Sequence, residues 1–72
     1  MKYLNTVGYI PYSKIIREQR TRAGLTQEQL GTMLGVAPST VNKWENGKRE
    51  PSFVMFEKLL TVTGGEIQII TR

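Results

Sequence analysis

The 72-residue chain has no cysteine and no histidine. Without cysteine there are no disulfides and no thiolate metal sites, and without histidine the usual zinc ligand sets cannot be assembled. No metal and no cofactor is therefore expected. The chain also lacks a glycine-rich phosphate loop and a close pair of carboxylates, so no catalytic residues stand out and it does not read as an enzyme. No apolar run approaches the roughly 20 residues that cross a membrane. Lys2 near the N-terminus is not followed by the apolar core or small-residue cleavage site of a signal peptide. The expectation is a soluble cytoplasmic protein without a membrane partner. Acidic residues are the minority, six Asp plus Glu against ten Lys plus Arg, for a net charge of +4. In so small a domain that excess favours an anionic partner, although composition by itself is weak evidence. At this length the chain is one domain near the lower limit for folding without staples, so helix packing or dimerisation must stabilise it.

What the sequence does contain is concentrated between Thr26 and Gly47, TQEQLGTMLGVAPSTVNKWENG. Thr26 suits an N-cap, and Gln29 three positions later completes a capping box. Leu30 and Leu34, four apart with Met33 beside them, give the helix an apolar face. Gly35 stands where a helix C-terminus favours a left-handed residue, and Val36 offers a side chain to the interior of the turn. Pro38 suits the first turn of the next helix, and Gly47 suits its end. Two short helices joined by a three- or four-residue turn with glycine constitute a helix-turn-helix signature.

The second of these helices sorts its residues by face. At about 100° per residue, Ala37, Val41, Trp44 and Glu45 share one side, and Ser39, Asn42, Lys43 and Asn46 share the other. The first set is core-like apart from Glu45, and Trp44 beside Val41 reads as core rather than as a stacking platform. The second is a row of hydrogen-bonding side chains of the kind that meets base edges and phosphates. For an arbitrary amphipathic helix a solvated face is the simpler reading. The capped helix before it, the glycine turn and the basic Lys48–Arg49 after it shift the balance toward DNA.

The segments TQEQL, LGV.PSTV and WENGKREPS, in this order and spacing, resemble the XRE/Cro family of helix-turn-helix domains, which includes the lambda-type phage repressors. The likeness runs from about Ile16 to Thr63. It implies an all-α, lambda-repressor-like domain of four to five helices over residues 13–64. It also implies a sequence-specific regulator, a repressor acting as a homodimer on a palindromic double-stranded DNA operator. The helix that begins at Pro38 would enter the major groove. Ser39, Asn42 and Lys43 would face base edges there, with Pro38 able to add a thymine-methyl contact. Gln27, Thr40, Asn46, Lys48 and Arg49 would hold phosphates. Pro38 and Lys43 stand where the best-understood phage repressors carry glutamines, so those base preferences do not transfer.

Upstream, Ser13 reads as the N-cap of a first helix running to about Ala23, with Gly24 at its end. Ile16, Arg20 and Ala23 share a face. An arginine on a core-like face wants a carboxylate, and Glu45, the odd member of the later inner face, is its natural partner. In the resembled family this pair is a partly buried salt bridge tying the first helix to the recognition helix. Gly31 inside a helix costs about 1 kcal/mol relative to alanine. Close approach of the recognition helix is the expected compensation, at a place where alanine would often serve. Downstream, Ser52 caps a helix from Phe53 to about Val62, with Phe53, Phe56, Leu59 and Leu60 as its apolar stripe and Met55 nearby.

The ends differ in character from this middle. Residues 1–12, MKYLNTVGYIPY, have β-type composition punctuated by Gly8 and Pro11 and read as an extended arm, with a flexible leader as the alternative. Residues 65–72 read as a short strand, with Ile67, Ile69 and Ile70 as its apolar positions. A lone strand in a helical domain needs a partner edge, which the N-terminal arm or a second copy can supply. Antitoxins of the HipB-like branch resemble the chain in carrying an intersubunit strand directly after the last helix. A protein toxin is therefore an alternative partner, with DNA binding as autoregulation. RNA is disfavoured because the aromatics are expected inside rather than on a sheet face.

Overall fold

Four helices follow one another along residues 10–64, the part of the chain that the structure, a computed structural model, describes: α1 (Tyr12–Arg22), α2 (Gln27–Leu34), α3 (Pro38–Glu45) and α4 (Phe53–Val62). The architecture is all-α, as expected from the helix-turn-helix pattern. The arm over 1–9 and the strand over 65–72, with Ile67, Ile69 and Ile70, lie outside the described residues.

The start of α2 follows from two side chains. Thr26 Oγ1 accepts from the Gln29 amide at 3.0 Å, and Gln29 Oε1 accepts from the Thr26 amide at 2.8 Å. Two of the orphan donors at a helix start are thereby satisfied reciprocally. The helix ends where Gly35 adopts φ 77°, which lets the Val36 amide return to the Gly31 carbonyl at 2.8 Å. This six-to-one closure turns the chain sharply. Ala37 then stands extended and Pro38 opens α3, its missing N–H falling where a helix has no acceptor for it.

Gly31 is buried beneath that turn. A Cβ built on it would lie 2.6 Å from the Val36 carbonyl oxygen and 3.4 Å from the Pro38 nitrogen. The closest neighbour is thus a carbonyl of the connection, with the first residue of the recognition helix behind it. Alanine does not serve there, because a rigid carbonyl rather than a movable side chain fills the space.

Five further positions depart from expectation. Ser13 is not the cap of α1. The helix begins two residues earlier, at Tyr12 after Pro11, without a side-chain cap. Tyr12 is drawn into the first turn, where its ring meets Phe56 of α4 edge-on with centroids 4.9 Å apart. Ala23 and Ala37 are exposed rather than on inner faces, because each flanks its helix and escapes the 100° periodicity. Met33 and Phe53 are also largely exposed, at 44% and 50%. Phe53 is the first residue of α4, directly after the Ser52 cap, and the buried stripe starts one turn later.

The core draws on every helix: Ile15 and Ile16 from α1, Leu30 and Leu34 from α2, Val41 and Trp44 from α3, Phe56, Leu59 and Leu60 from α4. Full burial of such side chains stabilises by about 1.5–3 kcal/mol each. Val41 and Trp44 fix which way α3 faces, with α2 and α1 packed behind it.

Candidate nucleic-acid interface

With Val41, Trp44 and Glu45 turned inward, Pro38, Ser39, Asn42, Lys43 and Asn46 are all exposed and Thr40 is half-buried. The expected base-reading residues thus share the outward side of one short helix. Both ends of that helix are held by backbone. At its exit Gly47 takes φ 74°, its amide returns to the Trp44 carbonyl at 3.2 Å, and the Lys48 amide returns to the Lys43 carbonyl at 2.9 Å. Arg49 N also reaches the Lys43 carbonyl, at 3.4 Å. This closure seats the exposed Lys48 and Arg49 directly beyond the end of α3.

Behind the polar row lies the Glu45 carboxylate, its side chain only 2% exposed. Arg20 grips it bidentately, Nε donating to Oε2 at 2.5 Å and an Nη to Oε1 at 3.0 Å. The other Nη of Arg20 donates to the Leu25 carbonyl at 2.9 Å, so the guanidinium also holds the α1–α2 connection. Burial pushes the Glu45 carboxyl up. The hydrogen bonds from Arg20 and Gln27 and the charges of Arg20 and Arg17 outweigh that, leaving it below its ordinary value. The bond from Glu45 raises Arg20 above its own, against a smaller opposing effect of burial. The carboxylate is therefore ionised near neutral pH, and every buried side-chain N or O among the described residues has a partner.

From Glu45 a chain of amides leads outward to the row. Gln27 Nε2 donates to Glu45 Oε1 at 3.2 Å. Asn42 Nδ2 donates to Gln27 Oε1 in a longer contact of 3.4 Å, and Asn46 Nδ2 donates to Asn42 Oδ1 at 2.9 Å. Gln27, read from sequence as a phosphate ligand at the start of α2, is thus joined to Asn42 of α3 and to Asn46 at its C-terminal cap. Arg17, which no motif singles out, donates to the Glu45 backbone carbonyl at 3.2 Å. Its cation sits at the C-terminus of α3, where the helix dipole favours positive charge. No exposed arginine on a polar helix face announces such a role. Its i, i+3 spacing from Arg20 is the one signal that places both on the same side. Among the described residues no group of acidic side chains could hold a metal ion, and no helix is long and apolar enough to cross a membrane.

The helix-turn-helix family model matches residues 16–70, most of the chain. The chain belongs to the XRE-type helix-turn-helix family. It is 36% identical over 52 residues to an HTH-type transcriptional regulator of Methanothermobacter thermautotrophicus, covering 72% of this chain and 75% of that relative. A regulator of the same description from Archaeoglobus fulgidus is 38% identical over 53 residues, covering 74% and 76%. The transcriptional activator BcrR of Enterococcus faecalis is 36% identical over 59 residues, which span 78% of this chain and 29% of the activator. Membership makes this domain a DNA-binding module of transcription regulators.

Proposed function

We propose that the protein is a transcriptional repressor that binds a two-fold symmetric operator as a homodimer, with α3 in the major groove. The observation that carries this reading is the division of α3 into a locked inner side and an exposed outer row of Pro38, Ser39, Asn42, Lys43 and Asn46. Ser39, Asn42 and Lys43 read base edges, Pro38 packs on a thymine methyl, and Gln27, Thr40, Asn46, Lys48 and Arg49 hold phosphates. Repression by occlusion needs no surface beyond this one. A helix of eight residues meets few base pairs, so two copies reading half-sites about 10 base pairs apart supply the affinity. The contact between copies is assigned to the segment carrying Ile67, Ile69 and Ile70, whose apolar side chains need cover.

Selection of binding sites from random DNA tests this directly. The selected sequences should contain two inverted half-sites, and a single half-site as the whole selected sequence would overturn the dimer. Lys43→Ala should lose about 1–3 kcal/mol of discrimination between the selected operator and random DNA. Lys48→Ala should weaken both alike and lower the salt slope by about one unit. Undiminished preference in Lys43→Ala would remove α3 as the reading helix.

A further inference from the structure

The exit of α3 sets an exposed asparagine directly before a glycine. Gly47 takes φ 74°, which side chains rarely adopt, and nothing lies within 4 Å of where a Cβ would stand on it. An asparagine in this position can cyclise on itself. The next backbone nitrogen is tethered close to its side-chain carbon, and glycine adds no bulk to hinder the approach. Two bonds oppose the reaction. The Gly47 amide donates to the Trp44 carbonyl at 3.2 Å, and Asn46 Nδ2 donates to Asn42 Oδ1 at 2.9 Å, with Asn46 at ψ 1°. Both bonds belong to the last turn, the part of a helix that opens most readily. Positive charge favours the reaction. Arg17 donates to the Glu45 carbonyl at 3.2 Å, and Lys48 and Arg49 directly follow Gly47. Cations here stabilise the nitrogen anion and the oxyanion through which cyclisation passes.

We propose that Asn46–Gly47 is a self-modification site, where deamidation ends the ability of the protein to bind DNA. The consequence for binding rests on α3 lying in the major groove as proposed above. The Gly47 nitrogen gives up its proton and forms a bond to the Asn46 side-chain carbonyl carbon. The bond from that carbon to Nδ2 breaks, and Nδ2 leaves with the proton as ammonia. Water then opens the cyclic imide to aspartate, or to its β-linked isomer in which the main chain runs through the side chain. A water is consumed and an ammonia released, with no change of oxidation state. The new carboxylate has no N–H to give Asn42 Oδ1. Its charge falls at the C-terminus of α3, the end that the helix dipole already makes negative, among residues assigned to phosphates. The β-linked form also lengthens the chain inside the closure made by Gly47 and Lys48. DNA on this surface holds the turn shut, so the change falls on protein that is off its operator.

The test incubates the full chain in mildly alkaline buffer, with and without the duplex selected from random DNA. Peptide mapping by mass spectrometry follows each asparagine. Asn46 should convert to acid well ahead of Asn42, which precedes Lys43, and the duplex should slow the conversion. Conversion at Asn46 no faster than at Asn42 would overturn the site. Conversion that a saturating duplex leaves unslowed would overturn the shelter given by DNA. Asn46→Asp, its fold confirmed by a thermal melt, should bind the duplex about tenfold or more weakly, the worth of a lost hydrogen bond to a charged group. Binding equal to the parent's would overturn the consequence. Asn46→Gln, whose longer side chain cyclises poorly, should keep its starting affinity through an incubation in which the parent loses its own. A parallel loss in Asn46→Gln would place the damage at another residue and overturn the assignment. A selection that returns no duplex would overturn the role of α3 and the consequence with it, while the mass map reads the chemistry independently.

Discussion

The α2–turn–α3 unit and α4 are helices of similar length, specified in different ways. In the first, single residues each carry a role that no other residue fills: the Thr26–Gln29 box, the left-handed Gly35, the buried Gly31 under a carbonyl, Pro38 at the first turn, and Glu45 against Arg20. In α4, Ser52 caps the start and an apolar stripe of Phe56, Leu59 and Leu60 does the rest. The first kind of specification fixes individual atoms, as the base-reading role proposed for α3 requires. The second fixes a face, as a core requires. Small changes in the first unit should therefore cost more than large ones at the margin of α4.

The largest effect should come from Arg20→Met. It leaves the buried Glu45 carboxylate without its bidentate donor, a loss on the order of 3–5 kcal/mol in denaturant melts. Adding Glu45→Leu should recover much of it, and strictly additive losses would show that the pair is not coupled. The pair also predicts a pH dependence. Because the carboxyl of Glu45 is held below its ordinary value, its contribution is present above about pH 4.3 and is lost as pH falls through the lowered native value. Glu45→Gln should accordingly be less stable near neutrality and show a shallower loss in acid.

Next in size is Gly31→Ala, where one added methyl must displace the Val36 carbonyl from 2.6 Å. Overpacking of this kind costs about 1–3 kcal/mol. Intrinsic helix propensity favours alanine by about 1 kcal/mol, so a stabilised variant would show that the turn yields freely. The smallest effect belongs to α4. Phe53→Ser removes a whole ring from a half-exposed site and should shift stability by no more than about 0.5 kcal/mol. A larger loss would show that the ring is covered and would erase the contrast between the two regions.

The same contrast explains what could be read in the sequence. The box, the glycine turn, the proline entry and the inward set Val41, Trp44 and Glu45 were legible because each rests on local rules of spacing and φ. A charge on each of two otherwise apolar faces also pairs Arg20 with Glu45 in the sequence, as the structure bears out. Contacts between elements were less accessible. The start of α1 is set by Tyr12 meeting Phe56, a contact 44 positions away, against the local appeal of Ser13 as a cap. The amide chain from Glu45 to Asn46 depends on how α2 crosses α3, and Arg17 on where α3 ends. The amide chain leaves no trace in spacing, and for Arg17 the spacing from Arg20 gives a shared side of α1 but not the end of α3 that it meets. Phe53 shows the limit of the stripe pattern, which marks a face without saying where along the helix the neighbouring layer begins.

The closures at both ends of α3 have a consequence for how such a domain can diversify. They are made by backbone amides, glycine and proline, so the helix is held in place without help from Pro38's neighbours on the outer row. Ser39 and Lys43 can change identity with little penalty to folding, and with α3 in the groove as proposed a new operator preference would follow from exchange of a few surface letters. Asn42 is the exception, because its amide is wired through Gln27 to the interior. Drift among descendants of such a domain would then be quick at Ser39 and Lys43 and slow at Asn42.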